Sequence, residues 1–122
     1  RLPNRFGDGY GLSIAAVEEM YNAGARNLVT VDTGITANVE IARAKELGMS
    51  VMVIDHHQPS GDALPPCDVL LDPHQQGDMY PNPELCGVGV SYKFICALFE
   101  RLGIESPRFG DSWHQIGCHT FC

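Results

Sequence analysis

The amino-acid sequence predicts an α/β fold built on a partial parallel sheet with flanking helices. Two short apolar runs, residues 28–31 and 51–54, are each followed at once by polar residues, and a stretch with helical spacing lies between them. Short apolar strands without alternation are typical of parallel sheets that helices cover. A strand, a helix and a second strand in this order form the right-handed crossover unit of such sheets.

Three helices are predicted to flank the strands. Residues 13–23 and 36–47 follow helical spacing, with Ser13 and Thr36 suited to cap them and a glycine just beyond each. A third helix opens at residues 87–93 and runs to about Leu102, and residues 68–71 are predicted as a third strand. The apolar residues expected to face the core are Ile14, Val17, Met20 and Tyr21, then Val39, Ala42, Ala44 and Leu47, then Phe94, Ile95, Leu98 and Leu102.

Length and composition limit the class of protein. A chain of 122 residues, 44% of them hydrophobic, makes one domain or part of one with a real core. The absence of an 18-residue apolar run and of a secretion signal predicts a cytoplasmic protein with no membrane partner. Five irregularly spaced cysteines indicate reduced thiols. The net charge of −7 excludes a surface that binds nucleic acid throughout, but leaves open an acidic metal cleft with a basic rim.

A candidate metal site follows the two apolar strands. Asp32 comes directly after the first strand, and Asp55, His56 and His57 come directly after the second. If these parallel strands are neighbours, their carboxyl ends lie at the same edge of the sheet, where α/β proteins bind ligands. Carboxylate oxygen and imidazole nitrogen suit Mn²⁺, Mg²⁺, Zn²⁺ or Fe²⁺. The alternative is an ordinary loop in which Asp and His have no ligand.

Two further segments are candidates for binding an anion. Arg5 lies in a loop rich in glycine, where a guanidinium can donate two parallel hydrogen bonds to a phosphate. Gly87 and Gly89 permit a tight turn at the start of the third helix, and Lys93 lies near the amino end of that helix. The alternative for the first segment is an ordinary surface loop, and the alternative for the second is a glycine turn without a ligand. Asp72 could be a further metal ligand, although an Asp-Pro pair more often begins a turn.

Four sequence segments carry a family resemblance. Pro-Asn-Arg-Phe with Gly-Tyr-Gly-Leu, then Val-Asp-Thr-Gly-Ile, then Ile-Asp-His-His-Gln, then Cys-Gly-Val-Gly-Val-Ser-Tyr-Lys resemble, in this order, the DHH phosphoesterase superfamily over residues 1–103. Asp-His-His alone is shared with family II pyrophosphatases and oligoribonucleases, which remain alternatives. The arginine loop and the Gly-Val-Gly-Val turn favour the exonucleases of the superfamily that are specific for single-stranded DNA.

The resemblance implies a 5′ to 3′ exonuclease of DNA repair and recombination that uses two divalent ions, Mn²⁺ or Mg²⁺. Its residue roles, transferred by position, make Asp32 a bridging carboxylate and His56 a direct metal ligand. His57 would contact the scissile phosphate, and Asp55 would hold the site as a ligand or as a supporting partner. The other residues expected near the DNA substrate are Arg5, Gly87, Gly89 and Lys93.

The sequence also departs from the family. The Asp-x-Asp motif expected before residue 1 and a last aspartate expected downstream are not present. We therefore expect residues 1–103 to be a partial DHH domain and residues 104–122 an irregular tail, disordered or non-native. The parent protein would hydrolyse single-stranded DNA, while this chain alone would be inactive. The alternative is a non-catalytic α/β remnant or binding module that keeps the motifs without turnover.

Overall fold

The computed structural model describes residues 11–61 and 63–105 of the chain. These residues form three helices and three strands, each close to its predicted position. In chain order they are α1 (Ile14–Asn22), β1 (Asn27–Val31), α2 (Asn38–Glu46), β2 (Ser50–Ile54), β3 (Val69–Leu71) and α3 (Gly87–Leu102). No helix among the described residues combines the length and apolar character needed to cross a membrane.

The three strands form one parallel sheet in the order β1-β2-β3. Val31 is level with Ile54, and Ile54 is level with Leu71, so the three strands end together. The hydrogen-bond ladder continues one residue further, because the Asp32 amide donates to the Ile54 carbonyl and the Asp55 amide donates to the Leu71 carbonyl, both at 2.9 Å. The predicted arrangement is confirmed for β1 and β2, whose following residues share one edge of the sheet, and the residues that follow β3 share this edge as well.

The core lies where α1 and α2 pack together beside the sheet. Its buried residues are Val17, Leu28, Ile41, Ala44, Met49, Val51 and Val53. The prediction was wrong about Val39, which is 64% exposed while Ile41 is buried. Thr36 is not the cap of α2, since that helix begins after Ala37 and has no side-chain cap. The Ala37 amide donates to the Gly34 carbonyl in a turn, and this turn delays the helix.

The other side of the sheet is only partly covered by the described residues. Val29 and Val31 of β1 are 54% and 51% exposed. In α3 the buried side chain is Val90, whereas the predicted packing residues Ile95, Leu98 and Leu102 are exposed. The apolar spacing of α3 therefore predicted the helix correctly but not its burial. Ile14 in α1 is likewise exposed rather than part of the core.

Candidate metal centre

The site begins with Asp32, the residue that leaves β1. Asp32 has φ 60°, a left-handed backbone conformation that is uncommon outside glycine but several-fold enriched in Asp and Asn. Its Oδ1 lies 3.1 Å from Nε2 of His56, which follows β2. The predicted meeting of positions 32 and 56 at one rim of the sheet is therefore present in the structure.

His57 completes a group of three side chains that could hold a metal ion. Asp32, His56 and His57 each offer one ligand atom, and these atoms lie within 4.8 Å of one another. The two imidazole rings are 4.4 Å apart between centroids. Adjacent ligands on one octahedral ion with bonds of about 2.1 Å lie about 3 Å apart, close to the separation of Asp32 from His56. One carboxylate and two imidazoles are also a donor set that fits Mn²⁺ or Zn²⁺, so the residues present fit a divalent cation.

Asp55 has a different position from the three candidate ligands. Its side chain is 1% exposed, and both of its oxygens accept hydrogen bonds. Oδ2 accepts from the Ile35 amide at 2.9 Å, and Oδ1 accepts from the His56 amide at 2.8 Å and meets His57 Nδ1 at 2.7 Å. Burial alone would raise the pKa of Asp55, but these hydrogen bonds keep the pKa below its usual value. The contacts favour a supporting role for Asp55 over direct ligation.

The contact with Asp55 also orients His57. The hydrogen bond to Asp55 raises the pKa of His57, against a smaller opposing effect of burial. With Nδ1 turned to Asp55, Nε2 is the nitrogen left for a metal or a substrate. The His57 side chain is 57% exposed, so a ligand can reach it from solvent.

Asp72, which follows β3, is the third carboxylate at the rim. Its Oδ1 accepts a hydrogen bond from the His74 amide at 2.8 Å, the contact of an ordinary Asx turn. Its buried Oδ2 has no hydrogen-bond partner among the described residues, and burial raises the pKa of Asp72. Asp72 is not one of the three clustered residues, and the contact that its side chain makes is the turn hydrogen bond.

The predicted substrate-binding residues are spread over the chain. Gly87 is buried at the start of α3 against the Asp32 side chain, a contact that no sequence pattern indicated. Gly89 lies against Leu85. Lys93 lines a cavity of about 260 Å³ together with Asp72. Arg5 lies outside the described residues.

Comparison with known proteins identifies relatives of this chain. The sequence model of the DHH family, N-terminal domain, matches residues 2–111. The curated Single-stranded-DNA-specific exonuclease RecJ of Salmonella typhimurium is 44% identical over 128 residues, covering 98% of this chain and 22% of that protein. The protein of the same name from Bacillus subtilis is 44% identical over 104 residues, covering 85% of this chain and 13% of the relative.

Solved structures agree with this grouping. The crystal structure of exonuclease RecJ bound to manganese superposes with a TM-score of 0.73 at 36% identity, covering 88% of this chain and 26% of that one. RecJ in complex with Mn²⁺ from Thermus thermophilus gives a TM-score of 0.62 at 33% identity, covering 78% and 14%. The chain spans 22% or less of the length of the two curated relatives above. With residues 2–111 matched by the family model and Asp-His-His at the end of β2, the chain belongs to the DHH family.

Proposed function

We propose that this chain is part of the DHH domain of a metal-dependent 5′ to 3′ exonuclease that hydrolyses single-stranded DNA. The observation that carries the proposal is the grouping of Asp32, His56 and His57 at the carboxyl ends of β1 and β2. The relatives named as single-stranded-DNA-specific exonucleases favour DNA over the pyrophosphate or short RNA substrates of other DHH phosphoesterases.

Asp32 and His56 are the proposed metal ligands, and Mn²⁺ or Mg²⁺ are the proposed ions. Divalent ions bound there supply Lewis-acid polarisation of the phosphodiester and a water of lowered pKa. Two such ions need several carboxylates, because two dications about 4 Å apart repel strongly. The cluster in the described residues contains one carboxylate, Asp32. We therefore propose that the parent protein adds further ligands and that this chain alone does not turn over substrate.

His57 and Asp55 are proposed to act on the substrate side of the site. A protonated His57 can donate a hydrogen bond from Nε2 to a phosphate oxygen, while Asp55 holds the ring through Nδ1. Asp55 would act through His57 and the loop amides, as a positioning residue. Arg5, Gly89 and Lys93 are proposed to lie along the DNA, where Lys93 would contribute a positive charge near a phosphate.

A role in DNA repair and recombination and a cytoplasmic location belong to the same proposal, as do the limits of the partial DHH domain at residues 1–103. The competing proposal is a non-catalytic α/β module that keeps the motifs. The single clustered carboxylate favours this competitor for the isolated chain, but the relatives favour catalysis for the longer parent.

The test compares this chain with a version of the parent that includes its upstream and downstream sequence. We expect weak Mn²⁺ binding by calorimetry and no nuclease activity for the 122-residue chain. The extended version should degrade 5′-labelled single-stranded DNA in Mn²⁺, and His56→Ala should abolish this activity. Pyrophosphate and short oligoribonucleotides serve as competing substrates. Faster cleavage of either, or an extended protein without hydrolase activity, would contradict the proposal.

A further inference from the structure

We propose that Gly87 is a positioning residue of the metal centre: because it lacks a side chain, the Asp32 carboxylate can lie beside His56. The inference rests on the proposed metal-binding role of Asp32 and assigns to the first residue of α3 a function in building that site. It differs from the sequence-based expectation, in which Gly87 bound the DNA substrate directly.

The contact between α3 and Asp32 is the first observation. A Cβ built on Gly87 would lie 2.7 Å from Cγ and 2.9 Å from Cβ of Asp32, and closer still to Oδ1. Real Cβ atoms essentially never come within 3.0 Å of another heavy atom in this way. Gly87 has no left-handed φ, so backbone conformation does not require glycine at this position. Space for the Asp32 side chain is therefore what glycine provides here.

The surroundings determine which atoms would move if Gly87 gained a side chain. The Asp32 backbone is fixed by the hydrogen bond from its amide to the Ile54 carbonyl at 2.9 Å. The first turn of α3 is fixed by buried Val90 and by the hydrogen bond from Ser91 Oγ to the Gly87 carbonyl at 2.8 Å. The group with most freedom is the Asp32 carboxylate, whose side chain is 58% exposed. A methyl group at position 87 would turn this carboxylate away from His56, and because rotation cannot move Cβ of Asp32, the start of α3 or the backbone of residue 32 would also shift slightly.

Gly89 offers a matched control two residues along the same helix. A Cβ at Gly89 would meet Cδ2 of Leu85 at 3.0 Å, the far end of a flexible side chain that can rotate. Gly89→Ala therefore adds the same methyl group to the same helix without touching Asp32. Both substitutions replace glycine by alanine in the first turn of α3, so their changes in intrinsic helix propensity are similar.

The first measurement is Mn²⁺ binding to the 122-residue chain by calorimetry and electron paramagnetic resonance. Gly87→Ala should weaken Mn²⁺ binding by at least about tenfold, the usual cost of disturbing a residue that orients a metal ligand. Gly89→Ala should stay within about twofold of the unsubstituted chain, because the proposed role of Gly89 is contact with DNA, which is absent from this measurement. Equal affinities for both variants would overturn the proposal.

The second measurement needs no metal, so it remains decisive if the unsubstituted chain binds no Mn²⁺ and the proposed function fails. In metal-free nuclear magnetic resonance spectra, the His56 ring signals should move in Gly87→Ala and in Asp32→Ala, and stay in place in Gly89→Ala. Unmoved His56 signals in Gly87→Ala would contradict the positioning role.

A third variant covers the case in which Gly87→Ala unfolds. Asp32→Gly removes every Asp32 atom that the new Cβ would meet, and glycine suits φ 60°. The double variant Asp32→Gly/Gly87→Ala should therefore be as stable as Asp32→Gly alone in urea unfolding. A loss of stability that persists in the double variant would show that Gly87 serves the packing of α3 and not the seating of Asp32.

Discussion

Asp32 and Asp55 follow neighbouring strands of one sheet, but their surroundings are opposite. The Asp32 side chain is 58% exposed and its Oδ1 lies 3.1 Å from Nε2 of His56, whereas the Asp55 side chain is 1% exposed and accepts hydrogen bonds on both oxygens. A carboxylate whose oxygens are already satisfied by the protein has little capacity for an ion. A place at the strand end therefore does not fix the surroundings of a carboxylate: nearby amides donate to both oxygens of Asp55, whereas Oδ1 of Asp32 faces His56.

The largest effect expected from this comparison is on stability. In Asp55→Asn, one amide oxygen can replace only one carboxylate oxygen, so the new NH₂ group must face either the Ile35 amide or the His56 amide. Leaving a buried donor unpaired costs about 2 kcal/mol of unfolding free energy. Urea unfolding measures this loss. A variant as stable as the original would show that Asp55 is not the structural carboxylate.

Asp32→Asn should affect Mn²⁺ binding and leave the stability of the chain nearly unchanged. Asn tolerates the left-handed backbone at position 32, so the free energy of unfolding should change by less than about 0.5 kcal/mol. Loss of the negative charge should weaken Mn²⁺ binding by at least about tenfold, or about 1.4 kcal/mol. Calorimetry at one pH compares the Mn²⁺ affinity of Asp32→Asn with that of the unsubstituted chain. Unchanged Mn²⁺ affinity would remove Asp32 from the site.

The pH dependence of the Asp55–His57 pair gives a smaller effect. The pKa of His57 is raised by its hydrogen bond to Asp55, so its stabilisation is complete below about pH 6.5 and is lost as pH rises through the folded pKa. The pKa of Asp55 is lowered, so its contribution is present above about pH 4 and is lost as pH falls through the folded pKa.

The pair should therefore stabilise the metal-free chain most between about pH 4 and pH 6.5. Because His57 is more than half exposed, the part due to its charge should be below about 1 kcal/mol. Nuclear magnetic resonance titration should show the pKa of His57 falling toward its ordinary value in Asp55→Asn. A pKa that stays raised in this variant would contradict the assigned cause.

The smallest expected effect has the opposite sign and concerns Asp72. Burial raises the pKa of Asp72, and its Oδ2 has no partner among the described residues, so its charge is unfavourable in the folded chain at neutral pH. Asp72→Asn keeps an oxygen for the His74 amide and removes the charge. We expect a gain of about 0.5 kcal/mol at pH 7. A clearly lower free energy of unfolding, measured in urea, would indicate that the Asp72 carboxylate has a stabilising partner.

Most of the fold and part of the site could be predicted from the sequence. The apolar runs that end at Asp32 and Asp55 predict two strands and their polar ends. This prediction succeeds because the length and the burial of a short strand depend on residues that are consecutive in the chain. The burial of Ile41 in place of Val39 could not be predicted, since it depends on where α2 begins, and a turn at residues 34–37 sets that start. The exposed face of α3 shows the same limit, because amphipathic spacing does not reveal what a helix packs against.

The different surroundings of Asp55 and Asp32 could not be predicted from the sequence either. The Ile35 amide that binds Asp55 is 20 residues away in the chain, and Gly87, which touches Asp32, is further still. Both contacts are products of tertiary packing. The family motif includes Asp32 and Asp55, and the proposed division into a metal ligand and a supporting carboxylate rests on their different contacts.

The parallel register of β1 has one more consequence. Among the described residues β1 is an outer strand, and an outer strand retains backbone groups that can pair with another. A further strand that paired with β1 in parallel and in the same register would end level with Val31. The side chain that follows this strand would then lie next to Asp32. A strand paired with β1 in this way would therefore add one potential ligand to the row of side chains at this edge of the sheet.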